Sequence, residues 1–189
     1  ADGTVTVGKG SDFIVDTNGT VSGGKVTITD SDSTTEIKGT VEEKADFDIT
    51  NNVIINGGTL NINSQNGDLA GDSWTGKITL TNNGTLNFNG IDNDENGSFY
   101  GDKGNLNILS ETLTIKGDSY ISSEVKTAIG ADAVLNIAAG DGSDKGGSVI
   151  LNSNTDWQGR VENNGGKLTL NNVNKGTNEE AVFVQTQGE

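Results

Sequence analysis

Trp74-Thr-Gly76-Lys-Ile78, followed three residues later by Asn82-Asn83-Gly84-Thr-Leu86-Asn-Phe88, returns 83 positions along the chain as Trp157-Gln-Gly159-Arg-Val161 with Asn163-Asn164-Gly165-Gly-Lys-Leu168-Thr-Leu170. In both copies a tryptophan-centred phrase feeds a segment whose alternate positions are Leu, Ile, Val or Phe. Repetition of this kind predicts stacked structural units. A chain built by winding one simple unit supplies reach and surface, with chemistry confined to a few loops.

Outward from these phrases, short runs of period-two alternation recur from end to end, bounded by Gly, Asn, Asp and Ser. Thr59 to Asn63, Lys77 to Thr81, Thr85 to Asn89, Asn105 to Leu109, Thr112 to Lys116, Val134 to Ala138, Ser148 to Asn152 and Lys167 to Asn171 all read as strands. So do Thr4 to Val7, Lys25 to Thr29 and Ala181 to Gln185. Apolar pairs such as Leu60 and Ile62 or Leu113 and Ile115 face inward, and Thr, Asn and Lys face water. Ser123 to Ile129 is the best helical stretch, but it is short and stopped by Gly130, so it reads as loop or strand. Landmark leucines are 16 residues apart at Leu135 and Leu151 and 26 apart at Leu60 and Leu86. Short strands also occur in antiparallel β-sandwiches, which stand as the alternative fold. The returning phrase G-x-L-x-[IFL]-N, with loops of variable length between copies, favours one elongated β-solenoid, because parallel stacking tolerates loop insertions that leave the core untouched. Residues 1–189 are read as one such domain, with 1–50 as a cap or atypical first coils.

Composition agrees with a narrow core. Only 31% of the residues are hydrophobic and 5% aromatic, too few for a wide globular interior, while 28 Gly and many Asn suit tight turns. Pro, Cys, Met and His are absent. The lack of Met leads us to expect a piece excised from a longer polypeptide, and the lack of Cys removes disulfides and thiolate chemistry. No apolar run approaches the ~20 residues that span a bilayer. Twelve Lys and Arg against 27 Asp and Glu give a formal charge of −15, which repels phosphate backbones and excludes nucleic acid as a partner.

Through the two Trp phrases, and through Gly57-Gly-Thr-Leu-Asn-Ile, Gly117-Asp-Ser-Tyr-Ile and Gly165-Gly-Lys-Leu-Thr-Leu, the chain resembles passenger domains of type V autotransporters of the AIDA and pertactin type. The resemblance covers most of the chain after about Asn51. Filamentous haemagglutinin-like exoproteins share the same style of phrase. The resemblance implies a right-handed parallel β-helix, secreted through an outer-membrane barrel outside this chain and displayed on a Gram-negative cell as an adhesin. It carries no catalytic residue to any position here.

Three local features could hold a ligand. Asp92-Asn-Asp94-Glu-Asn96-Gly97-Ser98-Phe-Tyr-Gly-Asp102 places oxygen ligands at alternate positions with Gly sixth, like the first half of a calcium loop. Lys103 then stands where a bidentate Glu would close the shell, leaving Asp102 as a partial substitute. Calcium is thus the one cofactor these residues suggest, through Asp92, Asp94, Asn96, Ser98 and Asp102, and an ordinary acidic turn is the competing explanation. Asp141-Gly-Ser-Asp144 and Gly8-Lys-Gly-Ser-Asp12 echo glycine-aspartate repeats but stand alone, so turn chemistry accounts for them. Trp74 and Trp157 could stack on sugar rings or anchor a protein partner, although packing over the coil explains a repeated position better. Tyr100 and Tyr120 look scattered. Thr pairs such as Thr79 and Thr81 resemble ice-binding rows in miniature, without the regularity a flat array requires.

An enzyme is not the expectation. There is no His base and no Cys nucleophile, Arg160 is the one guanidinium, and a lyase needs cations to stabilise an enolate-like carboxylate. Carboxylate pairs for glycoside hydrolysis are available, yet no pairing is recognisable. The reading is therefore an extracellular adhesin segment that attaches to a host receptor or glycan, or to the same protein on a neighbouring cell. A passive stalk and a carbohydrate-active β-helix enzyme are the alternatives. Asp92 to Gly104 and Asp141 to Trp157 are the loops expected to bind.

Overall fold

A strand that alternates Val, Ile, Leu or Phe with Thr, Asn or Lys has one side to bury. In this chain the strands bury it by stacking on the next coil. The computed structural model describes residues 4–7, 11–28, 33–42, 45–47, 49–63, 74–90, 97–140, 145–177 and 179–187. Among them there is no helix, and the strands wind into a parallel β-solenoid of about seven turns. Ladders between coils are parallel along the whole stack, which rules out the sandwich. Ala138 and Gly165 make an isolated antiparallel bridge.

One eight-stranded sheet runs from Phe13–Val15 through Thr34–Ile37, Asn52–Asn56, Lys77–Thr81, Ser98–Gly101, Tyr120–Ile121 and Ser148–Asn152 to Lys167–Asn171. A nine-stranded sheet carries the strand that follows in each coil, among them Thr59–Asn63, Gly84–Asn89, Gly104–Ile115 and Val125–Ala138. Thr4–Val7, Gly24–Ile28 and Ala45–Phe47 make a third sheet near the start. Further along, the nine-stranded sheet wraps onto a third face. Gly104–Ile115 pairs with Gly84–Asn89 through Ile108, shifts register before Ser110, and its inside-outside alternation breaks there with Glu111 at φ 58°. The segment Ser123 to Ile129 lies mostly in the long strand Val125–Ala138, so the strand reading describes it. Of the described strands before Thr50, Phe13–Val15, Thr20–Val21, Thr34–Ile37 and Thr40–Val41 belong to the same two sheets as those after it, and the other three make up the third sheet.

The core is a set of columns. Val53, Ile78 and Phe99 lie in register on one sheet and Leu60, Leu86 and Leu106 on the other, each at most 1% exposed. A side chain buried this fully contributes about 1.5–3 kcal/mol. Columns meet at a corner where coils approach too closely for a side chain. A Cβ on Gly58 would sit 2.5 Å from the Gly39 carbonyl oxygen, and one on Gly104 would sit 2.4 Å from that of Gly84. The same approach lets Thr59 N–H donate to Gly39 O at 2.8 Å and Thr85 N–H to Gly58 O at 2.8 Å.

Candidate functional site

The eight-stranded sheet turns one row of side chains to solvent that is unlike the others. Ile14, Glu36, Ile54, Thr79, Tyr100 and Tyr120 follow one another in register, one per coil, all on the side opposite the buried columns. Parallel strands are ~4.8 Å apart, so this row runs along the rod for roughly 24 Å. At its start, Asp12, Ile14, Thr34, Glu36 and Ile54 line a shallow groove of about 280 Å³. Ile14 is 55% exposed there, a large apolar side chain left in water. Glu36 is held below the ordinary carboxylate range, chiefly because the Asn56 amide donates to it at 2.6 Å and also because Lys38 pairs with it at 2.9 Å.

Two tyrosines stand further along the row, which runs on in register through Ser148 to Lys167. Their rings face each other across adjacent coils with centroids 5.4 Å apart and planes at 84°, an edge-to-face pair. Lys77, one coil earlier, places its ammonium 3.9 Å from the centre of the Tyr100 ring. The Tyr120 hydroxyl donates to the Asp102 carboxylate, and the Ser122 hydroxyl donates to the Asp102 carbonyl. Asp102 is fixed in turn by its N–H, which donates to Leu80 O at 3.0 Å. With that carboxylate accepting from it, the Tyr120 phenol is pushed up to about 12, burial adding in the same direction. Tyr120 therefore stays a neutral donor over the physiological range.

Outward side chains of the nine-stranded sheet are spent on one another. The Asn107 amide donates to Asn87 at 2.7 Å, Asn87 to Asn61 at 2.6 Å, and Asn61 to the Val41 carbonyl at 2.8 Å. Beside them Thr20, Thr40, Thr59 and Thr85 form a column, which the Asn105 amide caps at 3.4 Å. A third-face ladder repeats the device, with Asn164 donating to Asn136 at 2.8 Å and Asn136 to Thr114 at 3.3 Å.

Of the residues singled out from sequence, the two tryptophans are core. Trp74 is 1% exposed and packs edge-on against Phe88 and Phe99, with centroids 6.0 and 6.4 Å away. Trp157 is 4% exposed and meets Phe183 at 6.4 Å. Each indole N–H donates to the carbonyl two residues on, Trp74 to Gly76 at 3.1 Å and Trp157 to Gly159 at 2.8 Å. Neither ring has a face left for a sugar or a partner, because both are buried. The two phrases also occupy different places in the coil. The first enters the eight-stranded sheet at Lys77–Thr81, and the second enters the nine-stranded sheet at Arg160–Asn164.

Asp92, Asp94 and Asn96 lie outside the described residues, as do Asp141 and Asp144. Ser98 is the half-buried first residue of Ser98–Gly101, and Asp102 is engaged by Tyr120. Among the described residues no group of three or more His, Cys, Asp or Glu is placed to hold a metal ion. Tyr100 and Tyr120 are the residues sequence reading passed over. Their signal is a spacing of one coil between an outward Tyr in Phe99-Tyr100-Gly101 and another in Ser119-Tyr120-Ile121. Compared with protein-family models, curated proteins and solved structures, the chain matches none of them.

Proposed function

We propose that this chain is a segment of a surface-exposed bacterial adhesin, a rigid acidic rod that attaches its cell to a host surface or to neighbouring cells through the outward row of the eight-stranded sheet. The observation that carries the reading is the contrast in side-chain use. Ile14, Ile54, Tyr100 and Tyr120 stand in one solvent-facing row, whereas the amides of the nine-stranded sheet bond to each other. Large amphipathic side chains placed in water by a rigid scaffold are what binding surfaces use. Display outside a Gram-negative cell, with tethering by a part outside this chain, belongs to the same proposal and rests on the resemblance of the repeated phrases to autotransporter passengers.

Beads coated with the chain and mixed with cultured epithelial cells test it, with bead clumping scored alongside. Attachment or clumping that drops severalfold in the Tyr100→Ala/Tyr120→Ala variant, and holds in Asn87→Ala, supports the adhesin. Beads that neither attach nor clump make the rod a passive stalk.

A further inference from the structure

We propose that Tyr100, Tyr120, Lys77 and Asp102 form one subsite of a track for a neutral, linear glycan laid along the rod axis. The inference rests on the adhesin reading and adds the class of ligand. A pyranose has a C–H face that needs a flat apolar wall and a rim of hydroxyls that need donors and acceptors close by. Perpendicular rings 5.4 Å apart supply the wall as a two-sided corner. The Asp102 carboxylate, which accepts one bond from Tyr120, has further lone pairs for sugar hydroxyls. The ammonium of Lys77 stands at the same corner, 3.9 Å from the ring centre of Tyr100, as a donor.

The track continues because the row continues. Thr79 follows on the next coil, then Ile54, where the groove with Asp12, Thr34 and Glu36 repeats the pattern of apolar wall and oxygen rim. Each coil advances the row by ~4.8 Å, close to the advance of one hexose in an extended chain. Charge selects the neutral class. A chain of −15 repels polyanions, and Lys38 beside the groove is already paired with Glu36. Carboxylate acceptors match hydroxyl donors without needing a charged ligand.

The test is a panel of immobilised linear hexasaccharides, neutral β-glucan, chitin, mannan and galactan types beside a hyaluronan fragment and oligolysine, probed with the whole chain and then titrated calorimetrically. Binding to a neutral member that survives added salt, and that weakens about tenfold or more in Tyr100→Ala and in Tyr120→Ala with unchanged circular dichroism, supports the track. Tyr100→Phe, which keeps the wall, should retain most of the affinity. Preference for hyaluronan, or an oligolysine signal abolished by salt, overturns the ligand class. Neutral-glycan binding indifferent to both tyrosines overturns the site. Bead attachment to cells without any binding on the panel sinks the glycan and leaves the adhesin standing, while failure of both sinks the two together.

Discussion

The eight-stranded and nine-stranded sheets are wound from the same coils and share one core, yet the central rows of their outer surfaces differ, although an amide chain from Asn82 through Asn56 to Glu36 also runs along the eight-stranded side. On the nine-stranded sheet Asn61, Asn87 and Asn107 hand hydrogen bonds from coil to coil. On the eight-stranded sheet the corresponding position in successive coils changes from Ile54 to Thr79 to Tyr100. An amide ladder satisfies itself and leaves little for a ligand, since an Asn such as Asn87 donates to the neighbour on one side and accepts from the one on the other. A row of unlike side chains cannot do so, and its apolar area stays available. What differs between the faces is thus where polar capacity is consumed, which separates a surface that holds the rod together from one that can hold something else.

Breaking the corner that joins the two faces should have the largest effect. Gly58→Ala would push a Cβ to 2.5 Å from the Gly39 carbonyl oxygen and 2.6 Å from that of Ile37, and backbone cannot move aside cheaply. A loss of about 3 kcal/mol in urea unfolding is expected. Next is Asn87→Asp, which removes the donor to Asn61 and turns a carboxylate towards its amide oxygen. Destabilisation of about 2 kcal/mol at neutral pH is expected. The introduced carboxylate is harder to ionise in the fold than in the open chain, so stability persists below about pH 4 and is lost as the pH rises. A thermal melt at two pH values shows it, and a penalty that does not depend on pH would mean the ladder is not bonded as described.

Smaller effects belong to the tyrosine row. Because the folded state raises Tyr120 from 10.0 to about 12, its contribution is complete below pH 10 and is lost as the pH climbs towards 12. Ultraviolet titration of the phenolate should therefore find a late-ionising tyrosine, and Asp102→Asn should bring it back towards the ordinary value. An unchanged midpoint would remove Asp102 as the cause. Smallest of all, Tyr120→Phe loses one hydrogen bond at the surface, so a stability change under about 1 kcal/mol is expected.

Much of the fold is legible in local pattern, because alternation such as Leu60 with Ile62 or Leu86 with Phe88 needs only neighbours in sequence to be seen. Strands of two residues, Thr20–Val21, Thr40–Val41 and Tyr120–Ile121, escape that reading. Their extended shape is imposed by the ladder beside them. The outward row escapes for a related reason. Ladder partners are 20 residues apart at Asn107 and Asn87 but 28 apart at Asn164 and Asn136, so columns have no fixed period to search for. The tryptophan phrases show the cost of ignoring this. Identical local chemistry, an indole donating to the carbonyl of a crowded glycine, recurs at Trp74 and Trp157 on different sheets. Sequence similarity there reports a kind of bend and says nothing about its position around the coil, nor about the depth of the ring.

Parallel stacking also fixes how the rod would respond to being pulled. Its ladder hydrogen bonds point along the long axis, so tension between the ends loads the bonds of one coil boundary at a time, as in a zipper, instead of shearing many together. A coil of 20 residues, such as that between Asn87 and Asn107, would pay out about 70 Å of chain where it had spanned ~4.8 Å. Under flow, an attached cell would then be let out on a lengthening line, coil by coil from the end, while the coils still wound kept their grip.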